Sequence, residues 1–421
     1  MKKYNNPDFR RKIYKAFRLS FILVPLSLLL FGCTKTEFRT VEDPAYIRVF
    51  NNLTYTLTLD NKEEPQPFFC MFIDPEFDAS GRPVGGLAVG DFLDKRHIYA
   101  APNAAHAGLS TSRFNPEYPG KELVPTAPIL NGFDLTNWAQ IPAGKRRFLF
   151  MSRPISDVPF SSLPDEQQRV VFLDTTVDLS AREIYTLHIL QKDFATKENG
   201  LYVRKETFHK QAFSDTLSYV NFYNLSSKGF WTAAEELKLP VPGTSKSLRY
   251  GIRDTMNIFM THIQPGTDAT GTTVQQRIPN FSYQFAGTVI RNITDPEVTP
   301  YYSFPVFLNT GNKVYADTWQ YIQFFAPPID PRTSGSYNEP PRVPTGLNPA
   351  AVKDGTFGYI LMDHAQYDPN YYLNTFFPGL TVNVHAGTDN PRTFGVVNSI
   401  EVVNGNAFLT TVQRKYPQPI Y

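Results

Sequence analysis

An all-β protein of two antiparallel β-sandwich domains, with long proline-rich loops and few short helices, is what the sequence predicts. Three observations carry that prediction. Short runs of β-branched and aromatic residues recur along the chain, separated by Gly, Pro and Asn turns, which is how antiparallel sandwiches read. Helical signals are confined to Pro164–Gln168, Thr232–Leu237 and Pro349–Lys353, each one or two turns long. Finally, the chain resembles itself. Its 421 residues are 14% aromatic and 19% charged, with 35 Pro and 25 Gly. That length supports two or three cores, and the composition is far from that of a disordered chain.

The self-comparison sets the order of the elements. Ala45-Tyr46-Ile47-Arg48-Val49-Phe50-Asn51 matches Ser218-Tyr219-Val220-Asn221-Phe222-Tyr223-Asn224. Both alternate with period two, and an Asn closes each, so each reads as the first strand of a domain. Ile141-Pro142-Ala143-Gly144-Lys145, followed by Phe148-Leu149-Phe150, is set against Val384-His385-Ala386-Gly387-Thr388 and Phe394. Val177–Leu179 with Tyr185–Ile189 is set against Ile400–Val402 with Phe408–Val412, two expected hairpins turning at Ser180–Arg182 and Asn404-Gly405. The expected organisation is therefore a signal over residues 1–32, a tether over 33–40, a first sandwich over 41–195, a linker over 196–215 and a second sandwich over 216–421. The second copy carries an expected insertion over about 262–348, where Pro327–Pro349 holds seven prolines in 23 residues and reads as an ordered loop.

The N-terminus accounts for the apparent basicity. Residues 1–32 carry seven Lys and Arg against Asp8, then an apolar run from Leu19 to Phe31 too short to span a bilayer comfortably. From Cys33 onward 34 basic and 38 acidic residues remain, a net charge of −4. No polybasic face is left to condense on phosphates, which excludes nucleic acid as the expected partner. Leu30-Phe31-Gly32-Cys33 resembles a bacterial lipobox, although Phe31 departs from the usual small residue. That resemblance implies acylation of Cys33, which would tether the protein to a membrane, and Thr34 in place of an aspartate implies the outer membrane, at its surface or its periplasmic face. With Cys33 acylated, Cys70, inside the apolar run Phe68–Ile73, has no disulfide partner and reads as a buried thiol.

The segments Tyr46–Asn51, Ile141–Gly144 and Leu179–Leu187 together resemble an envelope domain of unknown function, often repeated in secreted proteins and lipoproteins of Bacteroidota. The likeness is stronger in the first copy than in the second, where Arg48 becomes Asn221. It implies an immunoglobulin-like fold and an envelope location, and it supplies no catalytic residue. Asp174-Thr175-Thr176, Asp215-Thr216-Leu217 and Asp254-Thr255-Met256 resemble the short O-glycosylation pattern of exported proteins of the same phylum.

No catalytic constellation is expected. Of seven histidines the densest grouping is Asp363-His364 with Asp368 and His385, which lacks the spacing of a zinc site. His188, between Leu187 and Ile189, reads as a surface or intersheet residue. There is no Gly-x-Ser-x-Gly elbow, and Glu63-Glu64, Asp165-Glu166 and Glu235-Glu236 lie in polar segments. Neither a metal nor a cofactor is expected. The candidate binding residues are the aromatics of the second copy: Tyr301, Tyr302, Trp319, Tyr321, Tyr371 and Tyr372. Adjacent residues on a strand face opposite ways, so one of each doublet is available to stack on a sugar or anchor a partner. The function expected is a non-catalytic outer-membrane lipoprotein that binds a glycan or an envelope partner, as an accessory to a nutrient-import complex. The alternative is a structural or adhesive cell-surface subunit.

Overall fold

In the computed structural model the described residues are 41–53, 66–96, 99–100, 127–214 apart from 136, 217–234, 253–293 apart from 268, 272 and 279, 300–305, 319–325, 359–364, 378–383 and 396–413, with a few single positions besides. Among them there is no α-helix, only 3-10 turns at Phe160–Ser162, Asp165–Gln168 and Phe208–Lys210. The strands of the first half are β1 (Pro44–Asn51), β2 (Phe69–Phe77), β3 (Pro83–Leu93), β4 (Tyr99–Ala100), β5 (Ile129–Leu130), β6 (Phe133–Asp134), β7 (Ala139–Pro142), β8 (Gly144–Ser152), β9 (Val171–Leu179), β10 (Ile184–Gln191) and β11 (Asn199–Glu206). Those of the second half are β12 (Leu217–Asn224), β13 (Thr255–Thr267), β14 (Thr273–Arg277), β15 (Gln284–Ile290), β16 (Tyr302–Pro305), β17 (Trp319–Phe325), β18 (Tyr359–His364), β19 (Pro378–Asn383), β20 (Val396–Val403) and β21 (Asn406–Gln413).

The protein is all-β and of sandwich type, and its two halves share one plan. An inner sheet of order β11-β10-β1-β7 in the first half corresponds to β21-β20-β12-β16 in the second. In both, the opening strand runs parallel to a late one, with Tyr46 opposite Ile184 and Tyr219 opposite Val397. The outer sheets are β3-β2-β8-β9 and β14-β13-β17-β19-β18, with β15 also on β13. Between inner and outer sheet lies a core, built in the first half around Ile47, Val49, Met71, Phe148, Phe150 and Leu187. Its counterpart is built around Val220, Phe222, Ile258, Ile322, Phe324 and Ile400. Each such side chain contributes about 1.5–3 kcal/mol on leaving water.

The inner strands are buried on both faces: β1 and β12 each have seven of eight residues buried, and β20 has all eight. The second face is covered by the other half's inner sheet. Tyr46 and Ile184 cluster with Tyr219, Val397 and Val412, while Leu190 and Tyr202 cluster with Tyr223, Val403 and Phe408. The body therefore stacks four sheets, outer, inner, inner, outer. The connection through Thr207–Ser214 is part of this packing, since Phe208 is buried against Phe133 and Trp138, and Phe213 lies 4.2 Å from Tyr219. Two residues of the first half, Tyr99 and Ala100, extend the second inner sheet as β4 alongside β21.

The Asn that closes each opening strand does the same work twice. Asn51 accepts from Leu53 N (3.1 Å) and donates to Pro67 O (2.8 Å), tying the loop to the start of β2. Asn224 accepts from Ser226 N (3.3 Å) and donates to Asp254 O (3.1 Å) at the start of β13. The turn at Asn404-Gly405 joins β20 to β21, and its two positive φ angles, 46° and 83°, are those that Asn-Gly accommodates best.

Four expectations need correction. Ser180–Arg182 does not close a hairpin, because β9 belongs to the outer sheet and β10 to the inner; the counterpart of β20–β21 is β10–β11. Alternation cannot tell a turn within a sheet from one that passes between sheets. The counterpart of Ile141-Pro142 is Phe304-Pro305, which pairs with Ser218 and Leu217 as Ile141 and Pro142 pair with Ala45 and Pro44. The segment Val384–Thr388 lies outside the described residues. Consequently 262–348 is not an insertion, since it holds the end of β13 and β14 to β17, with β16 answering β7; most of Pro327–Pro349, expected as an ordered loop, lies outside the described residues. Residues 199–206 of the expected linker are β11.

In β2, Asp74 adopts the left-handed region (φ 48°) and its carboxylate accepts from Arg147 N (2.9 Å) and Arg146 Nη1 (2.8 Å). The strands approach closely here: a Cβ on Gly86 would stand 2.6 Å from Ile73 O, whereas one on Gly85 meets only the Glu76 carboxylate at 3.4 Å. Gly86→Ala is therefore expected to lower stability by about 1–3 kcal/mol. Gly85→Ala should leave the urea midpoint nearly unchanged, and comparing the two midpoints checks the assignment.

Candidate functional site

Among the described residues the largest concentration of ionisable groups lies between the two inner sheets. On the outward alternation of β1, β10 and β11 stand Arg48, Thr186, His188, Arg204 and Glu206; on β20 stand Ser399 and Glu401. None of Arg48, Arg96, His188, Arg204, Glu206 and Glu401 is more than 5% exposed. Glu401 is the centre, accepting from both Arg96 Nη1 and Arg204 Nη1. Arg204 also donates from Nε (2.9 Å) and Nη2 (2.8 Å) to Glu206 Oε1, which accepts from Thr186 Oγ1 (2.6 Å). Arg48 Nε donates to Thr186 Oγ1 (3.3 Å), and its guanidinium lies 3.7 Å from the centre of the Trp138 ring. Arg96 donates to Thr410 Oγ1 (2.7 Å) and covers Phe50 at 3.7 Å; Arg204 covers Tyr223 at 4.4 Å.

Electrostatics follow from this sealing. Burial alone would raise the Glu401 carboxyl, but Arg204 and Arg96 outweigh it and hold the group well below the usual carboxylate range. Burial pushes the His188 imidazole well below its ordinary value; Glu401 opposes that shift and the three arginines add to it. His188 lies between the inner sheets, with Nδ1 2.9 Å from Asn52 Oδ1 and Nε2 4.0 Å from Glu401 Oε1. Every charge here faces a counter-charge or an aromatic face and none faces water. The arrangement can hold two sheets in register, and it offers no reacting atom to a substrate. Among the described residues no group of three or more His, Cys, Asp or Glu is placed to hold a metal ion.

The expected aromatic platform is not assembled among the described residues. Tyr321 is buried in β17. Tyr301 is half-buried and packs on Phe213 at 5.2 Å; burial and the nearby Glu206 push its hydroxyl well up. Tyr302 points the other way, donating to Gln284 Oε1 (2.8 Å) and packing against the second core. Trp319 begins β17 opposite Ile263; its side chain, Tyr371, Tyr372 and Cys33 lie outside what is described. Cys70 is buried, as its apolar run implies.

Sequence reasoning missed all five charged residues of the interface. The available signal was composition on one face: Arg48 alternates with Tyr46 and Phe50, and Thr186 and His188 alternate with Ile184 and Leu190, an unusual mixture for a solvated surface.

A second feature is the edge of the first outer sheet. From Val84 to Gly90 β3 carries no charge, and among the described residues no strand pairs with its outer side. Val84 is 57% exposed, Leu87 40% and, across the hairpin, Phe77 40%. At the opposite edge, β9, Asp174 forms an ion pair with Arg147 of β8 (2.7 Å), and Val171 is 55% exposed. A search of family models finds no match to the chain, and neither does a search of curated proteins.

Glu401→Gln leaves Arg96 and Arg204 without their shared carboxylate and is expected to cost about 3–5 kcal/mol. Asp174→Asn, at the half-exposed pair with Arg147, is expected to cost under about 1 kcal/mol; urea titration of both variants compares them.

Burial also holds His262, between Phe281 and Phe304, down to about 3. Unfolded histidine titrates near 6.5, so His262 and His188 are neutral in the fold while the unfolded chain takes up protons. Their stabilisation is complete above pH 6.5 and is lost as pH falls toward the folded values, at about 1.4 kcal/mol per pH unit for each. Below its own unfolded value Glu401 adds loss of the same sign. Urea midpoints at pH 7.5 and 5.5 should therefore differ strongly, and His262→Leu should flatten the dependence by about one proton's worth.

Proposed function

We propose that the protein is a non-catalytic, lipid-anchored component of the outer membrane that binds another envelope protein, as an accessory to a nutrient-import complex. The observation that carries the choice of a protein partner is the uncharged stretch Val84–Gly90 at the β3 edge, with Phe77, Val84 and Leu87 exposed beside it. An edge of this kind suits pairing with an extended segment, whereas sugars are held by exposed rings. The lipobox-like Gly32-Cys33 and the resemblance of Tyr46–Asn51, Ile141–Gly144 and Leu179–Leu187 to a repeated Bacteroidota envelope domain support the location. The glycan version of the reading rests on Trp319, Tyr371 and Tyr372. A structural or adhesive subunit is the second reading, and it draws on the same edge, since strand pairing is also how such subunits join.

Cys33→Ser is expected to abolish labelling by a fatty-acid analogue and move the protein out of the membrane fraction. Affinity purification of the tagged protein from gently solubilised outer membranes should recover an importer, and Val84→Lys with Leu87→Lys should lose it while the membrane anchor stays intact. Recovery of a surface-fibre or matrix protein instead would support the structural reading. Recovery unchanged by the double substitution would remove β3 from the argument.

A further inference from the structure

We infer that the buried ions make the two inner sheets accept each other and refuse a second copy of themselves, so that each sandwich carries a docking face specific for a sandwich of the other kind. The argument starts from equivalence. Register places Tyr46, Arg48 and Phe50 where Tyr219, Asn221 and Tyr223 stand in the second half, and Ile184, Thr186, His188 and Leu190 where Val397, Ser399, Glu401 and Val403 stand. On the next strand Arg204 is equivalent to Thr410. Equivalent positions also meet across the interface: Ile184 and Val397 share one cluster, Leu190 and Val403 another, and His188 lies 4.0 Å from Glu401. The halves are thus related in the manner of a two-fold dimer.

At its two ends this interface is apolar in both copies, so the ends fit any pairing. Only the middle discriminates. Two first sheets paired in the same way would put His188 where Glu401 now receives Arg96 and Arg204. Arg204 would keep Glu206 on its own sheet, but Arg96 would face an imidazole in place of its carboxylate. Two second sheets would set Glu401 against Glu401, with Thr410 in the place of Arg204. Each like pairing buries charge without its counter-charge, and the mixed pairing alone supplies it. Glu401, Arg96 and Arg204 are therefore the residues that determine which sheet may dock.

Gln211 and Ala212 are exposed, so a protease site inserted between them can be cut in the folded protein. The nicked protein is dissociated in urea, diluted together with an isotope-labelled nicked sample, and its pairs are counted by native mass spectrometry. Mixed pairs should exceed like pairs by at least about a hundredfold. The variant Arg96→Met/Arg204→Met/Glu401→Leu, treated identically, should form like and mixed pairs within about tenfold of one another. If that variant does not fold, Glu401→His, which gives the second sheet the first sheet's residue, should let second halves pair with themselves. Like pairs from the unsubstituted protein within about tenfold of mixed ones, no mixed pairs from it, or an undiminished preference in the variants would each overturn the inference.

Discussion

The body is organised around one carboxylate that has been taken out of water. An isolated carboxylate costs several kcal/mol on entering a protein interior, and Glu401 is tolerable there only with strong donors fixed around it. Those donors come from distant parts of the chain: Arg96 is 305 residues away and Arg204 is 197 away. Arg96 reaches Glu401 from the segment that continues into β4, whose two residues pair with β21. The crossing of a first-half segment onto the second inner sheet, the facing of the two inner sheets and the burial of Phe208 in the connection are parts of one requirement.

This requirement divides the labour among the sheets. The inner sheets are buried on both faces and are used up in holding the halves together, with apolar clusters at either end of the ionic centre. The outer face of the first outer sheet is partly covered, Cys70, Phe72, Leu149 and Met151 lying buried with Phe160 and Leu163, and the two edges of that sheet differ in chemistry. β9 carries Asp174, paired with Arg147 of β8, beside the exposed Val171, while β3 has no charge from Val84 to Gly90 and has large apolar side chains beside it. Natural edges of that length are usually blunted by charge, which the stretch Val84–Gly90 lacks.

Much of the fold was legible because it depends on local alternation. Ile47 and Val49, like Val220 and Phe222, do face their sandwich cores, and Asn404-Gly405 does turn a hairpin. The closing asparagines were visible as a repeated letter, and the structure supplies their reason, a side-chain clamp on the chain entering the next strand. The site was not legible in the same way. Arg48 and Glu401 occupy the alternate positions that the period-two rule assigns to solvent, and the one local hint that this face meets another sheet is its mixture of charged and large apolar residues. Tyr321 shows the converse, an aromatic chosen for exposure that the second half buries.

By itself the sequence determined the class of fold, the duplication and the opening strands of both halves, because each is written in neighbours a few residues apart. Tertiary structure decided which turn crosses between sheets, which dipeptide answers Ile141-Pro142, and which faces are interior. Those outcomes rest on pairings between residues separated by up to three hundred positions, where a charge is stabilised or excluded by its partner's location. The sign and spacing of charges along a chain do not specify where a counter-charge will be, and in this protein that location settles the arrangement of all four sheets.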